Sequence, residues 1–493
     1  MKFPQTKIAA VLSFSLLSAC TVGPDYTRPA APVSTHYDHQ AETRLVQPGD
    51  APDAQHVTLG DRIGGDWWLA FHSPILDQAM RQAIGGNFDL KIADARIAQA
   101  SEAVRAAGGA LYPQVDFGSQ IGRARANVPP PATGSFYGVG PVVNFDLDIF
   151  GGTKRLVERQ GALAEAERHR FDAAYLTLTG GVATQALLLA SAKAQIEAVG
   201  VLLADDRRTL DLLRLAHAKG SVAQPEIALA ETQLAQDQTL LPPLAQQRDA
   251  ARHALSVLAG QGPAEGTMPD FTLADFTLPP DLPLSLPSEL VHDRPDILEA
   301  EAELHAASAE VGVATAELYP HLTLSGSFTQ VNSNPASLFQ GSTTLWGVAA
   351  GLAGPIFHGG SLEAGRQGAV DGYKASLAIY QRTVVASLGQ VADVLQAIGH
   401  DADEYSAQQR ALAAAAVSLR LNRDGFRAGE SGVVQVLDAE RAHQRALLGE
   451  IRAKTARYLD TVQLYIALGG NSAGVSSLIT DGNKAYIHET SAE

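Results

Sequence analysis

The segment Leu111-Tyr112-Pro113 precedes the alternating run QVDFGSQIGRAR at residues 114–125, and it recurs as Leu318-Tyr319-Pro320. The two copies are 319 − 112 = 207 residues apart. Each follows a helix-like run rich in Ala and Glu, and each precedes two strand-like stretches, a Gly-Gly pair and a very long helical run. A fixed period indicates repeated architecture. Because this unit is far longer than a solenoid repeat, we predict a duplicated half-molecule.

Four strand-like stretches alternate between apolar and small or polar side chains, at residues 114–125, 139–150, 321–331 and 345–357. Each is about ten residues long, which suits a tilted transmembrane strand. Half-buried strands of soluble proteins alternate as well. All four stretches contain aromatic residues suited to membrane interfaces, namely Phe117, Phe145, Phe328 and Trp346. We therefore predict membrane strands, which must close into a barrel because a bilayer offers no water to an open strand edge.

Two helical runs without proline, residues 153–218 and 361–427, are too long for a globular domain, at about 100 Å each. The second has a coiled-coil seam that begins Leu377, Tyr380, Val384 and continues through Asp401. The first has a similar seam, formed by Ile196, Val199, Leu203, Leu210 and Leu213. Returning helices are predicted at 222–259, with a break at Pro242-Pro243, and at 431–468. A cytosolic coiled coil is the alternative, against which the strands and the amino terminus argue.

The amino terminus has the pattern of a processing signal. Lys2 and Lys7 precede an apolar stretch that is too short to span a bilayer. The sequence Leu17-Ser18-Ala19-Cys20 resembles the bacterial lipobox, which implies cleavage before Cys20 and lipid on its thiol and new amino group. Two or three acyl chains anchor a protein stably. Thr21, rather than Asp, implies sorting to the outer membrane. The alternative is a chance cysteine after an ordinary secretion signal.

Composition excludes several classes of partner and site. The formal charge is −16, and removal of Lys2 and Lys7 leaves 35 basic against 53 acidic residues, or −18. This balance argues against nucleic acid and anionic lipid headgroups as partners. Cys20 is the sole cysteine, so neither a disulfide nor a thiolate metal site is expected.

No enzyme or metal motif is recognised. The chain has no phosphate-binding glycine loop, no serine nucleophile elbow and no zinc-spaced histidine cluster. We interpret His400, with Asp401 and Asp403, as a solvated face rather than a metal site. The three methionines are scattered, which argues against a site for soft metals. We expect no catalytic activity, no bound metal and no cofactor other than the lipid on Cys20.

Several motifs together resemble the TolC-like outer membrane efflux factors, in their lipoprotein (NodT-type) branch. The motifs are RPDILEAE at 294–301 with Leu304 and Ala307, the second Leu-Tyr-Pro, Trp67-Trp68 with Phe71, Asn87 to Leu90, FRAG at 426–429 and VLDA at 436–439. The resemblance implies a homotrimer with a twelve-stranded transmembrane β-barrel, four strands from each subunit, and a long periplasmic α-helical barrel with an equatorial domain. From the residues alone, four strands require oligomerisation but do not set the number of subunits.

The resemblance implies the outer membrane channel of a tripartite efflux pump in a Gram-negative bacterium, with a large periplasmic part. It would conduct small toxic solutes or drugs. Its partners would be a periplasmic adaptor, an inner-membrane pump of the RND type and outer membrane lipid, and no nucleic acid. The alternative within this fold is the duct of a type I protein secretion system. A non-conducting structural lipoprotein and a periplasmic enzyme are the other classes considered.

The resemblance also implies two functional regions at the helical hairpin tips. Lys219, Gly220, Ser221 and Gly429 would contact the adaptor, and the periplasmic gate would comprise Asp438, Glu430, Arg427, Gln435 and Ser431. Three positions depart from the family: Gln435 where many members have Asp, Ser431 where some have a charge, and Phe426 in place of a gate Tyr. Asp438 has a structural alternative as a solvated or capping carboxylate.

The predicted organisation follows from these elements. It comprises a signal peptide 1–19, a lipidated extended arm 20–62, a first repeat 63–259, a linker 260–287, a second repeat 288–468 and a flexible tail 469–493.

Overall fold

The computed structural model describes residues 21–37, 55–60, 63, 65–126, 132–266, 268–340 and 343–470. The predicted signal peptide, Cys20, part of the arm and the tail beyond residue 470 lie outside these ranges. The chain divides into two compact units. The first, here called the strand unit, contains residues up to Pro29, Ala95–Arg168 and Glu299–Arg382; the second, the helical unit, contains Ala30–Asp94, His169–Leu298 and the chain from Thr383.

The elements of the described residues alternate between short strands and helices of very different length. In chain order they are β1 His56–Leu59, α1 Pro74–Gly86, α2 Phe88–Gly109, β2 Gln114–Ala126, β3 Ala132–Leu147, α3 Gly152–Ala218, α4 Gln224–Gln238, α5 Leu241–Leu258, β4 Asp281–Leu284, α6 Pro287–Asp293, α7 Pro295–Ala316, β5 His321–Asn332, β6 Thr343–Ala353, α8 Ser361–Ala428 and α9 Val433–Ala467. The four predicted strands and the two very long helices are all present.

The strand unit contains an antiparallel sheet in the order β2-β3-β5-β6, so strands from both halves of the duplication share one sheet. The register aligns Val115 with Val143, Val143 with Gly326, and Gly326 with Val348. Directly paired residues lie on the same face, so apolar positions from all four strands form one face. On β2, Val115, Phe117 and Ile121 are exposed on this face, as a surface against lipid requires.

The predicted boundaries of two strands were wrong. The strand predicted at 139–150 is β3, which begins seven residues earlier, since Ala132 pairs with Ala126 despite the two glycines of this stretch. It ends before Asp148, whose carboxylate accepts the backbone N–H groups of Thr153 and Lys154 and caps α3. The strand predicted at 345–357 ends at Ala353, because Pro355 cannot donate a ladder hydrogen bond.

The helical unit has an aromatic core built from family-motif residues. Trp67 stacks on Tyr465 with ring centroids 5.4 Å apart, and Phe71 lies edge-on to both rings. The buried Arg294 donates two hydrogen bonds to Asp296. It also donates one to the backbone carbonyl of Ala467, which lies at the end of α9, two residues after Tyr465. The Trp-Trp and Arg-Pro-Asp motifs therefore hold the helices together.

The segment 260–287 is packed rather than an extended linker, which corrects the prediction. Its strand β4 pairs in parallel with β1 of the arm, and Phe271, Leu282 and Leu284 are fully buried. The high proline content suggested a spacer, but the alternating apolar residues between the prolines fill a core. The returning helix is divided as predicted, with α4 ending at Gln238 and the two prolines in the first turn of α5.

Within the described residues, α3 is long and apolar enough, by length and composition, to cross a membrane. Most of its apolar window is buried inside the protein. A buried core helix of a soluble domain passes the same test, so α3 is weak evidence for a membrane span.

Candidate functional site

The two hairpin tips have the same turn geometry. Gly220 and Gly429 both adopt φ of +79°, a left-handed conformation that favours glycine. At the first tip, the N–H of Ser221 donates to the carbonyl of Ala216, and at the second the N–H of Glu430 donates to Gly425. Both are Schellman ends of a long helix. Lys219, Gly220, Ser221 and Gly429 are exposed at these turns, where a partner can reach them.

The predicted gate residues lie together around the second tip, but each makes local contacts within the subunit. Arg427 pairs with Asp424 at 3.3 Å, one turn away on α8. Asp438 is 3.5 Å from Arg441 on α9. The hydroxyl of Ser431 donates to the carbonyl of Asn422 at 3.0 Å, closing the turn, while Glu430 and Gln435 are exposed.

A charged bridge that the sequence analysis missed joins the two hairpins above the tips. The Arg423 guanidinium on α8 donates to Asp205 on α3 at 2.6 Å and to Glu440 on α9 at 2.9 Å. Glu440 is buried, and this burial raises the pKa of its carboxyl against the opposing effect of Arg423. Removal of Arg423 would leave a buried carboxylate without its cation, which is strongly unfavourable.

A second missed feature is the carboxyl pair formed by Asp206 on α3 and Asp237 on α4. Asp206 is 3% exposed, and the two carboxyl groups lie within hydrogen-bonding reach. Burial raises the pKa of Asp206 to about 7, and the negative charges of Asp237 and Glu440 raise it further in the same direction. The amide of Gln233 donates to the other side of Asp237.

These charged residues form a layer between two hydrophobic clusters. On one side Val199 and Leu203 pack against Leu448 and Ile451. On the tip side the cluster is Leu210, Leu213, Ile227, Ala230, Val433 and Leu437. We define the polar layer as Asp205, Asp206, Asp237, Arg423 and Glu440. It interrupts the apolar packing between the two clusters, and the partly buried Leu234 packs against both of them.

The sequence contained a signal for this layer. The predicted seam runs Val199, Leu203, Leu210 and Leu213 with a gap at the position between Leu203 and Leu210, and Asp206 occupies that gap. A carboxylate at a coiled-coil core position must be paired or protonated. The partners Asp237 and Arg423 lie on other helices and carry no comparable local signal.

The second hairpin has its own carboxyl pair, Asp401 on α8 and Asp460 on α9. Burial and then the charge of Asp460 raise the pKa of Asp401 to about 7, and Arg457 opposes this shift. Burial also raises the pKa of Asp460. Asp401 was predicted both as a seam residue and as part of a solvated face; the structure supports the seam position, whereas His400 and Asp403 are exposed.

A groove of about 370 Å³ lies at the tip side of the polar layer. Leu212, Ala216 and Phe426 supply apolar walls, and Arg208 and Arg427 line it as well. The groove opens to the surface between α3 and α8, so a helix from another protein can contact it.

Comparison with known proteins gives one consistent family. A family model described as outer membrane efflux protein matches residues 79–261 and 286–470. The pyoverdine export outer membrane protein OpmQ of Pseudomonas putida is 30% identical over 482 residues, with 95% of this chain and 98% of that protein covered. The cation efflux system protein CusC of Escherichia coli is 28% identical, with 92% and 97% covered. The solved outer-membrane channel OprN superposes with a TM-score of 0.83 at 26% identity, covering 92% of this chain and 99% of that one.

Proposed function

Because the chain belongs to the outer membrane efflux protein family, we propose that it conducts small toxic solutes from an inner-membrane transporter and a periplasmic adaptor to the exterior. It is an outer membrane efflux channel with the TolC-like fold. The observation that carries the proposal is the four-stranded sheet with one apolar, exposed face, joined in the same chain to two helical hairpins. An enzyme does not need this combination, but a conduit through lipid does.

The proposed assembly is a homotrimer. Among the described residues, β2 and β6 each pair on one side only, so the sheet has two open edges. About eight strands are the lower limit for a closed barrel, and four therefore require further copies. Three copies supply twelve strands, as the family resemblance implies.

The proposed adaptor site is the groove at the tips together with the exposed turns at Lys219, Gly220, Ser221 and Gly429. Its apolar walls fit the apolar face of an adaptor helix. Photo-crosslinking from position 219 in intact cells tests this site. An adaptor of an RND-type pump in the crosslinked product supports the proposal, whereas the adaptor of an ATP-driven secretion system would instead assign the chain to type I protein export.

We propose that Asp438 and Glu430, repeated by symmetry, give the entrance an acidic lining that favours cations. Both are exposed close to the second tip, and the chain carries a net charge of −16. Pairing of Arg427 with these carboxylates across subunits is part of the same proposal. In planar bilayers, the wild-type channel should be cation-selective and Asp438→Ala less so. Equal cation and anion permeability in both proteins would contradict the acidic lining.

Lipid on Cys20 is proposed from the sequence motif and from the position of the residues that follow it. The N–H of Val22 donates to the carbonyl of Phe150 at 3.0 Å, and Thr21 lies against Gly151. The described part of the arm is therefore fixed just beyond the end of β3. Mass spectrometry of the amino-terminal peptide should show a diacylglyceryl thioether that Cys20→Ser abolishes; an unmodified thiol would refute it.

The efflux function is tested by deleting the gene and restoring it. The deletion should increase susceptibility to dyes, detergents or aromatic acids, and the wild-type gene should restore resistance. A purified protein that forms no pores in planar bilayers would overturn the conduit.

A further inference from the structure

The Asp206–Asp237 pair lies at a position where a carboxyl group stabilises the helix packing less than an apolar side chain would. Asp206 lies on the seam between Leu203 and Leu210, with hydrophobic clusters on both sides of its layer. A leucine at this position would continue the packing. Two carboxyl groups in contact inside a low-dielectric layer destabilise each other when both are ionised.

A single shared proton removes the charge repulsion between the two carboxyl groups. Among the described residues, no N–H or hydroxyl group donates to the buried Oδ2 atom of Asp206. Its neighbour within hydrogen-bonding reach is the carboxyl of Asp237. A proton between them makes one group a donor and the other an acceptor, so the pair becomes a hydrogen bond that joins α3 to α4.

The surroundings do not neutralise the ionised pair. Asp205 on α3 and Glu440 on α9 act on Asp206 with their negative charges, and the one guanidinium of the layer, Arg423 on α8, is bound to these two carboxylates. On α4, Gln233 is an uncharged partner of Asp237. His443 on α9 lies near Arg423 and Asp205, and burial followed by the charge of Arg423 lowers its pKa, which favours its neutral form. With all four carboxylates ionised and one guanidinium, the layer carries −4 + 1 = −3; one shared proton reduces this to −2.

We propose that the Asp206–Asp237 pair is a proton-dependent joint: with a shared proton it holds α4 against α3, and without it the tip segment 207–236 of the first hairpin loosens. The cluster of Val199, Leu203, Leu448 and Ile451 on the other side of the polar layer does not depend on this proton, so the change is confined to the tip segment. This inference rests on the proposed function, because the tip segment is there the rim of the periplasmic entrance. The entrance is therefore tighter in acid and looser in alkaline periplasm.

Hydrogen–deuterium exchange of the detergent-solubilised protein tests the joint without reference to transport. The exchange of peptides from 207–236, corrected for the intrinsic pH dependence of amide exchange, is compared at pH 6 and pH 8. We expect more than about threefold faster corrected exchange at pH 8 in the wild type. Asp206→Asn and Asp237→Asn, in which an amide takes the place of one carboxyl and donates permanently, should show slow exchange at both values.

Asp211→Asn is the matched control. Asp211 lies on the same helix, is 77% exposed and pairs with Arg214 of that helix at 3.9 Å, so its substitution should leave the pH dependence unchanged. If the wild type shows no pH dependence, or if both Asn variants retain it, the joint is refuted. Asp237 is only partly buried, so its variant remains informative if Asp206→Asn fails to fold.

Conductance recorded at the same pH values separates the two proposals. Open probability that rises with pH in the wild type and in Asp211→Asn, but not in Asp206→Asn, supports the joint and the entrance together. Exchange that follows the prediction in a protein without conductance upholds the joint and refutes the conduit. Conductance with pH-independent exchange upholds the conduit and refutes the joint.

Discussion

Arg423 links the two helical hairpins through its side chain. Its side chain contacts a carboxylate on each hairpin, Asp205 on α3 and Glu440 on α9. The first contact joins the hairpins, and the second keeps a buried carboxylate paired. Any outward movement of the second hairpin against the first must break the contact with Asp205.

Asp205→Asn removes the negative charge from that contact and leaves the Arg423–Glu440 pair in place. The pair with Asp205 is about one third exposed on the arginine side, so it is worth about 0.5–1 kcal/mol. We expect the open probability of the resting channel in planar bilayers to rise by about two- to fivefold. Glu231→Gln is the control, because its partner Arg214, at 2.7 Å, lies on the other helix of the same hairpin. An equal response in the two variants would mean that the bridge does not restrain the entrance.

At the level of the elements, the carboxyl pairs tie the two helices of each hairpin together. Asp401 and Asp460 connect α8 to α9 as Asp206 and Asp237 connect α3 to α4. Both pairs lie where an apolar seam would otherwise continue. We therefore expect helix pairing to depend on protonation as well as on hydrophobic burial.

The Asp401–Asp460 pair should make helix stability depend on pH with a defined sign. An unfolded Asp releases its proton near pH 4, whereas folded Asp401 holds it up to about pH 7. The folded state binds more protons in this window, so stability falls as pH rises from about 4 to 7. Asp401→Asn should flatten the fall and raise stability at pH 8 by about 1 kcal/mol, given the partial exposure of the site. Thermal unfolding followed by circular dichroism measures this; the exposed Asp403→Asn should behave as wild type.

How far the sequence predicted these elements depends on whether their signals were local. Proline-free runs and apolar periods located α3 and α8, and the prolines at 242–243 located the break between α4 and α5. The tips were predictable because a glycine in a left-handed conformation ends each long helix. The early start of β3 was not predictable, because residues 132–138, which include two glycines, form a strand only when β2 pairs with them. The bridge from Arg423 to Asp205 spans 218 residues and depends on tertiary packing.

For the whole molecule, the sheet has two chemically different faces. Cross-strand pairs place Val115, Val143, Gly326 and Val348 in one apolar row. On the opposite face, the hydroxyl of Thr323 donates to Asp146 at 2.6 Å. An apolar outside and a hydrogen-bonding inside are what a barrel needs to hold water within lipid. The face of the sheet on which a residue lies therefore determines the effect of its substitution.

Val348 and Ala349 are neighbours on β6 that test this division. Val348 belongs to the apolar row, and Ala349 points to the other face because successive side chains alternate along a strand. An arginine on the lipid face near the bilayer midplane costs about 2–4 kcal/mol per strand, and each subunit of the assembly bears it. Val348→Arg should therefore abolish the heat-resistant oligomer in semi-native electrophoresis. Ala349→Arg should assemble normally and shift the channel towards anion selectivity, because it adds a cation to the water-filled side. Equal loss of the oligomer in both variants would show that the sheet does not separate lipid from water.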